Sequence, residues 1–285
     1  MNMEPGTNKL LKIWGRLPIL IRAIFSGFMV STAGITVWAV MLWLIMPPWS
    51  VIPMIFALWA FWKFFGGIRK VKLYPFTWKW SIIAAICFVV ILQSSFVITF
   101  RIKEFPAAQF TSDYKILGKM PLWTAWIMLI MSSVVAGICE ETGYRGYLQT
   151  PLEKKYGPVA AIIISSIIFT IIHLSKNWAH PIIPHIFFAS VLLGILAYKS
   201  GALIPGIIGH SILDIFDYSF WWTHIAGSFK KQTIFITGID IHFIIWTLIF
   251  LLALFIFYKS IVKLKREDLL IEKVVEIINA KKSQY

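Results

Sequence analysis

Charge is what this sequence has least of. Only 14% of its 285 residues are charged, against 59% hydrophobic, and acidic residues number 13. A soluble domain of this length would carry charge on nearer a quarter of its positions, so a mean hydropathy of +0.78 excludes an ordinary water-soluble globule. Cysteine is almost missing. Cys87 and Cys139, both inside apolar segments, give no disulfide framework and no CxxC metal spacing, which leaves buried free thiols. Dyad alternation is also missing, which argues against a β-barrel, and no internal repeat gives the inverted symmetry of many transporters. The N-terminus has a basic start but no short apolar region and no A-x-A site, so it reads as a retained first helix rather than a cleaved leader.

What the chain has instead is long apolar runs. In a bilayer only helices and closed barrels satisfy their own backbone, and continuous runs of about 20 residues select helices. The fold class is therefore all-α: a polytopic membrane protein of about eight transmembrane helices in one bundle. The spans fall at roughly 20–46, 49–65, 80–100, 121–150, 158–176, 182–199, 203–222 and 237–260. Pro and Gly mark the joins. The second span is weakest, shortened by Pro53 and carrying Lys63 near its end. Residues 1–19 form a cytoplasmic N-terminal segment, 20–260 the membrane bundle and 261–285 a basic amphipathic cytoplasmic tail.

The formal net charge of +14 suggests nucleic acid at first sight, but no nucleic-acid motif accompanies it. Basic residues of a membrane protein mark cytoplasmic loops beside anionic lipid. Eight spans with both termini inside put 20 of the 27 Lys and Arg on the cytoplasmic side, leaving Arg101, Lys103, Lys115, Lys119, Lys176, Lys230 and Lys231 opposite. This predicts an integral protein of the cell membrane with lipid as partner, no nucleic acid, and no specified oligomer.

Against that background the polar residues inside the spans stand out, since each charge there costs about 2.5–3.5 kcal/mol on insertion scales. In GICEETGYRG (137–146) Glu141 and Arg145 lie four apart and share a helical face, while Glu140 points about 100° away. Arg145 can neutralise Glu141 and leave Glu140 to face something else; a headgroup-level cluster is the competing account. FTIIH places Phe169 and His173 on one face of the fifth span, where an interhelical hydrogen bond is the simpler role for the histidine. GHSILD places His210 and Asp214 four apart, a spacing that suits one ion or one substrate as well as an ordinary helix-interface pair. Counted at about 1.5 Å per residue, these groups lie about 10–23 Å from the cytoplasmic boundary. One cavity could hold them. His180, His185 and Phe220-Trp221-Trp222 could shape the cavity or an interface, with membrane-interfacial anchoring the simpler account.

EETGYR (140–145) matches an EExxxR motif, FTIIH (169–173) an FxxxH motif, and LLGILAYKSGALIPGIIGHSILD (192–214) a small-residue helix followed by HxxxN/D. In these, in order and in spacing, the chain resembles the CPBP family of CAAX-protease and bacteriocin-processing intramembrane proteases, also called Abi, over about residues 120–222. The type II CAAX prenyl endopeptidases are related to it. Thr142 and Gly143 stand where members more often carry bulky apolar residues, and Asp214 stands where the prenyl-endopeptidase branch typically has Asn.

The resemblance implies hydrolysis of a peptide bond in a peptide or membrane-anchored substrate. Glu140, His173, His210 and Asp214 would be catalytic, with Glu141, Arg145 and Phe169 supporting them. Peptide hydrolysis needs an activated water, an oxyanion stabiliser and a proton donor; no Ser–His–Asp arrangement is evident, which makes water the nucleophile. In one version Glu140, His173, His210 and Asp214 hold a divalent metal, expected to be Zn²⁺, that lowers the pKa of its water. In the other Glu140 and His173 activate water directly while His210 and residue 214 support the oxyanion. An ionised Asp214 would repel that oxyanion, which favours the metal version. A non-catalytic immunity or scaffold protein and a proton-coupled transporter are the rival readings.

Overall fold

A computed structural model describes residues 13–45, 48–65, 75–103, 119–174 and 182–264. Most of the expected N-terminal segment and nearly all of the tail, together with His180, lie outside the described residues. Among those described there is helix and no strand: α1 Ile19–Leu44, α2 Val51–Phe65, α3 Pro75–Ile102, α4 Leu122–Glu140, a π-helix π1 Glu141–Gln149, α5 Thr150–Tyr156, α6 Pro158–His173, α7 Ile183–Ser200, α8 Ile204–Phe216, a second π-helix π2 Asp217–Trp222, α9 Ile234–Thr237 and α10 Ile241–Lys263. All eight apolar runs are helical. Five stretches are long and apolar enough to cross a membrane, and α2 and α6 are shorter apolar helices. The chain is an all-α polytopic membrane protein.

Its outer faces show why. Along α10, Leu248, Leu251, Leu252 and Phe255 are exposed, while only Ala253, Phe257, Ser260 and Ile261 are buried. A helix apolar all round yet largely uncovered is stable only where its surroundings are apolar too. Free Cys87 and Cys139 are both buried.

Two compact units divide the chain, Met1–Ile68 with Ile138–Gly194 and Arg69–Gly137 with Ile195–Tyr285. In the first, Ala23 of α1, Tyr144, Leu148, Leu152, Ala161 and Phe169 form the core, with Ile24, Ile168 and Ile186 packed against them. In the second, Gly209 of α8 lies against Ala85 and Phe88 of α3, and Gly137 of α4 against Ser211 and the Ile207 carbonyl of α8.

Helix directions within each unit follow from such pairs. On α1 and the α4–π1 segment, Gly34 faces Cys139 and Gly27 faces Leu148, so the two run in opposite directions. Between them lie α3, long and apolar enough to cross a membrane, and the shorter apolar helix α2. In the second unit α3 and α8 run the same way, Ala85 beside Gly209 and Gln93 bonded to Asp217. α3 and α10 are antiparallel, since Arg101 pairs with Asp240 at one end and Lys263 lies over the Trp80 ring, 3.8 Å from its centroid, at the other.

α1 approaches π1 more closely than bulky side chains allow. A Cβ on Gly143 would lie 2.5 Å from the Gly27 carbonyl oxygen and 2.7 Å from Ser31 Cβ. Small residues at Ala23, Gly27, Ser31 and Gly34 give α1 the seam that brings membrane helices into backbone contact. That accounts for glycine at 143, where the resemblance leads one to expect a bulky residue.

The second unit is tied at one end by a buried arginine. Arg101, with no exposed surface, donates from both terminal nitrogens to Asp240, at 3.0 Å each, and from Nη2 to Thr237 Oγ1 at 2.8 Å. Asp240 also caps α10 by accepting from the Phe243 amide at 2.9 Å. The Arg101 hydrogen bonds and this amide hold its carboxyl down at about 2.

Two predictions follow from these contacts. Gly143→Val should destabilise the folded chain by about 1–3 kcal/mol, because the obstructing atoms are backbone; thermal unfolding in detergent checks it. For Asp240 the folded carboxyl value is depressed, so its contribution is complete above the ordinary 3.8 and is lost as pH falls through about 2. The gap in thermal midpoint between wild type and Asp240→Asn should therefore hold steady from about pH 7 to 5 and shrink below about 4, measured by pH-resolved melting.

Candidate active site

Glu140 closes the regular part of α4, and winding changes at the next residue. The expectation of an ordinary α-helix through 121–150 is corrected here: 141–149 is π-helical. Pro151 follows at once, with no N–H to give and a ring that collides with the carbonyl four residues back; a wider turn moves that carbonyl away. The Thr150 hydroxyl donates to the Arg145 carbonyl five residues earlier, at 3.0 Å. Single π-turns inside helices recur at functional sites.

The spacing argument for the ion pair survives the change of pitch. Arg145 Nε lies 3.3 Å from Glu141 Oε2, and neither side chain is more than 1% exposed. Glu140, by contrast, is only partly buried. The two adjacent carboxylates thus have separate surroundings, one enclosed with a guanidinium and one reaching an accessible face.

Arg145 organises what lies around it. Its Nη2 donates to Ser190 Oγ of α7 at 3.0 Å, and the guanidinium carbon stands 5.3 Å from the centre of the Phe169 ring. Phe169 also meets Tyr144 edge-on at 5.1 Å and His173 at 4.6 Å. The FxxxH spacing has a direct meaning here. His173 Nδ1 lies 2.8 Å from the Phe169 carbonyl oxygen, which can only accept, so Nδ1 donates there and in the neutral ring Nε2 is the nitrogen with the lone pair. An imidazole fixed in that tautomer is suited to take a proton or bind an ion through Nε2.

Sequence reasoning missed Gln149. It is fully buried; its Nε2 donates to Glu153 Oε1 at 2.7 Å and to the Gly194 carbonyl at 3.0 Å, and its Oε1 accepts from Ser165 at 3.3 Å. The signal was there in the row Glu141, Arg145, Gln149, Glu153, all four apart.

His210 and Asp214 belong to the second unit. His210 is buried and Asp214 partly so. Nε2 and Oδ1 are 3.8 Å apart, beyond a hydrogen bond but within ion-pair range for a protonated ring. Glu140, Glu141, Arg145, Phe169 and His173 lie in the first unit. The structure therefore brings the predicted residues together as an enclosed set around Arg145 and Phe169, ending on His173, and as the His210–Asp214 pair. Among the described residues no group of three or more His, Cys, Asp or Glu is arranged to hold a metal ion.

The aromatic stretch does not form the interfacial anchor expected of it. Trp221 and Trp222 are buried, at 4% and 3% exposure, and Trp221 stacks on Phe96 and Phe100 with centroids 5.6 and 4.7 Å away. His185 is partly buried in the first turn of α7.

Removing Arg145 would strand Glu141 in an apolar interior. Arg145→Ala should cost about 3–5 kcal/mol or prevent folding, measured by detergent melting and membrane yield. A folded variant of wild-type stability would refute the assignment.

Neither the comparison with curated proteins nor that with solved structures yields a match. Residues 121–216 match a family model described as Type II CAAX prenyl endopeptidase Rce1-like. That segment carries EETGYR, FTIIH and GHSILD, and through it the chain is related to the CAAX-protease family.

Proposed function

We propose that the chain is an intramembrane endopeptidase that hydrolyses a peptide bond of a membrane-associated substrate, a prenylated C-terminal peptide or a leader peptide. Water is the nucleophile. Glu140 and His173 activate it by taking its proton, which then passes to the leaving amine. His210 supports the oxyanion as an N–H donor, and Asp214 stands beside its ring, 3.8 Å from Nε2. Glu141, Arg145 and Phe169 hold the first two in place.

The observation that carries this reading is the fixed tautomer of His173. With Nδ1 committed to the Phe169 carbonyl, the neutral ring, at the end of α6, has Nε2 as its basic nitrogen. The partial exposure of Glu140 beside the sealed Glu141–Arg145 pair supports the same division of labour. The match of residues 121–216 supplies the reaction class. A divalent ion, Zn²⁺ on chemical grounds, is the cofactor the resemblance implies. Since no three-donor group is assembled among the described residues, no step here is routed through it. We place the enzyme in the cell membrane with both termini cytoplasmic, on the distribution of basic residues.

Glu140→Ala and His173→Ala should each abolish cleavage of a farnesylated peptide ending in a C-A-A-X sequence, with insertion and melting unchanged. Full activity in either would exclude these roles, and no cleavage by the wild type of prenylated or leader peptides would favour an immunity or scaffold protein. Asp214→Asn separates the two chemistries: retained cleavage fits a group beside the oxyanion, whereas loss of cleavage together with loss of stoichiometric zinc, read by elemental analysis, establishes a ligand. Zinc absent from active wild-type protein would exclude the metal.

A further inference from the structure

His210 and Asp214 are followed at once by a buried carboxylate that the reaction above does not use. Asp217 is 9% exposed. It comes three residues after Asp214 and seven after His210, a spacing that keeps all three on one helical face. It is also the junction between α8 and π2, where its backbone N–H is shared by the carbonyls of Asp214 and Leu213. Asp217 is thus bonded through its main chain to Asp214 itself.

Its side chain is held from another helix. Gln93 of α3 donates from Nε2 to Asp217 Oδ1 at 2.6 Å. The amide cannot be turned round, because Trp221 Nε1, which can only donate, bonds Gln93 Oε1 at 2.8 Å. Trp221 is itself clamped between aromatic rings, Phe100 at 4.7 Å, Phe229 at 5.5 Å and Phe96 at 5.6 Å. Packing alone does not call for these polar groups, since α8 already rests on α3 through Gly209 against Ala85 and Phe88. A buried carboxylate met by an oriented amide is costly to assemble and serves to fix geometry.

The geometry points to Gln93 and Asp217 as a positioning pair for His210 and Asp214, an inference that rests on the peptidase reading of those two residues. Gln93 pins Asp217, Asp217 pins the carbonyl of Asp214, and the turn that carries Asp214 is set from α3 together with His210 one turn earlier. Displacing such a group by about 1 Å can cost roughly 100-fold in rate while leaving substrate binding alone. Asp217 needs only to accept a hydrogen bond to do this.

The test uses the full chain in nanodiscs, carrying Gln93→Leu, Asp217→Leu, Asp217→Asn or Trp221→Phe. Cleavage of the farnesylated C-A-A-X peptide is followed alongside the NMR signals of isotope-labelled histidine, the His210 signal being assigned with His210→Gln. Gln93→Leu and Asp217→Leu should lower kcat by about 10- to 100-fold at nearly constant KM and move the His210 signals, with little change in melting. Asp217→Asn, whose amide oxygen still accepts from Gln93, should behave as the wild type. Trp221→Phe keeps the ring and removes the donor, so it should move the same signals, and it stands in if Gln93→Leu fails to accumulate. Unmoved His210 signals in folded Gln93→Leu or Trp221→Phe would overturn the proposal, as would damage by Asp217→Asn equal to that by Asp217→Leu. If the wild type cleaves nothing, the peptidase reading fails and the His210 signals alone decide the pair.

Discussion

A guanidinium with no exposed surface is the constraint around which the first unit is arranged. Arg145 is enclosed by apolar side chains, where an unpaired charge would be untenable. Glu141 supplies the counter-charge, Ser190 a hydroxyl and Phe169 an aromatic face. Those partners come from π1, α7 and α6, so satisfying one side chain fixes three segments of the chain. The same Phe169 holds the His173 ring and, through its carbonyl, the tautomer of that ring.

Much of this was legible in the sequence. The eight apolar runs gave eight helices, because the length of apolar stretch needed to cross a bilayer is a coarse and local property. The separation of Glu140 from the Glu141–Arg145 pair was also legible, since i and i+4 share a face under either winding. What could not be read was the winding itself. π1 runs up to Thr150-Pro151 and lies against α1, and helix propensity registers neither.

The side chains that were missed are neutral amides or partners far apart along the chain. Gln149 carries no charge and so raised no alarm, although it bonds α5, α6 and α7 residues at once. Gln93 and Asp217 are 124 residues apart, a separation across which no local spacing rule operates. Trp221 and Trp222 misled for the opposite reason. Tryptophan next to a polar turn has the composition of a membrane-surface anchor, and only tertiary packing reveals that these two rings face inward.

The Gly27–Gly143 crossing carries a consequence for segment exchange. Each glycine faces the other's backbone carbonyl, so neither position takes a side chain while the two segments stand this close. A chain with a larger residue at 143 needs a first helix that stands further off, and a chimera that took the motif segment from such a chain would drive that side chain into the backbone of α1.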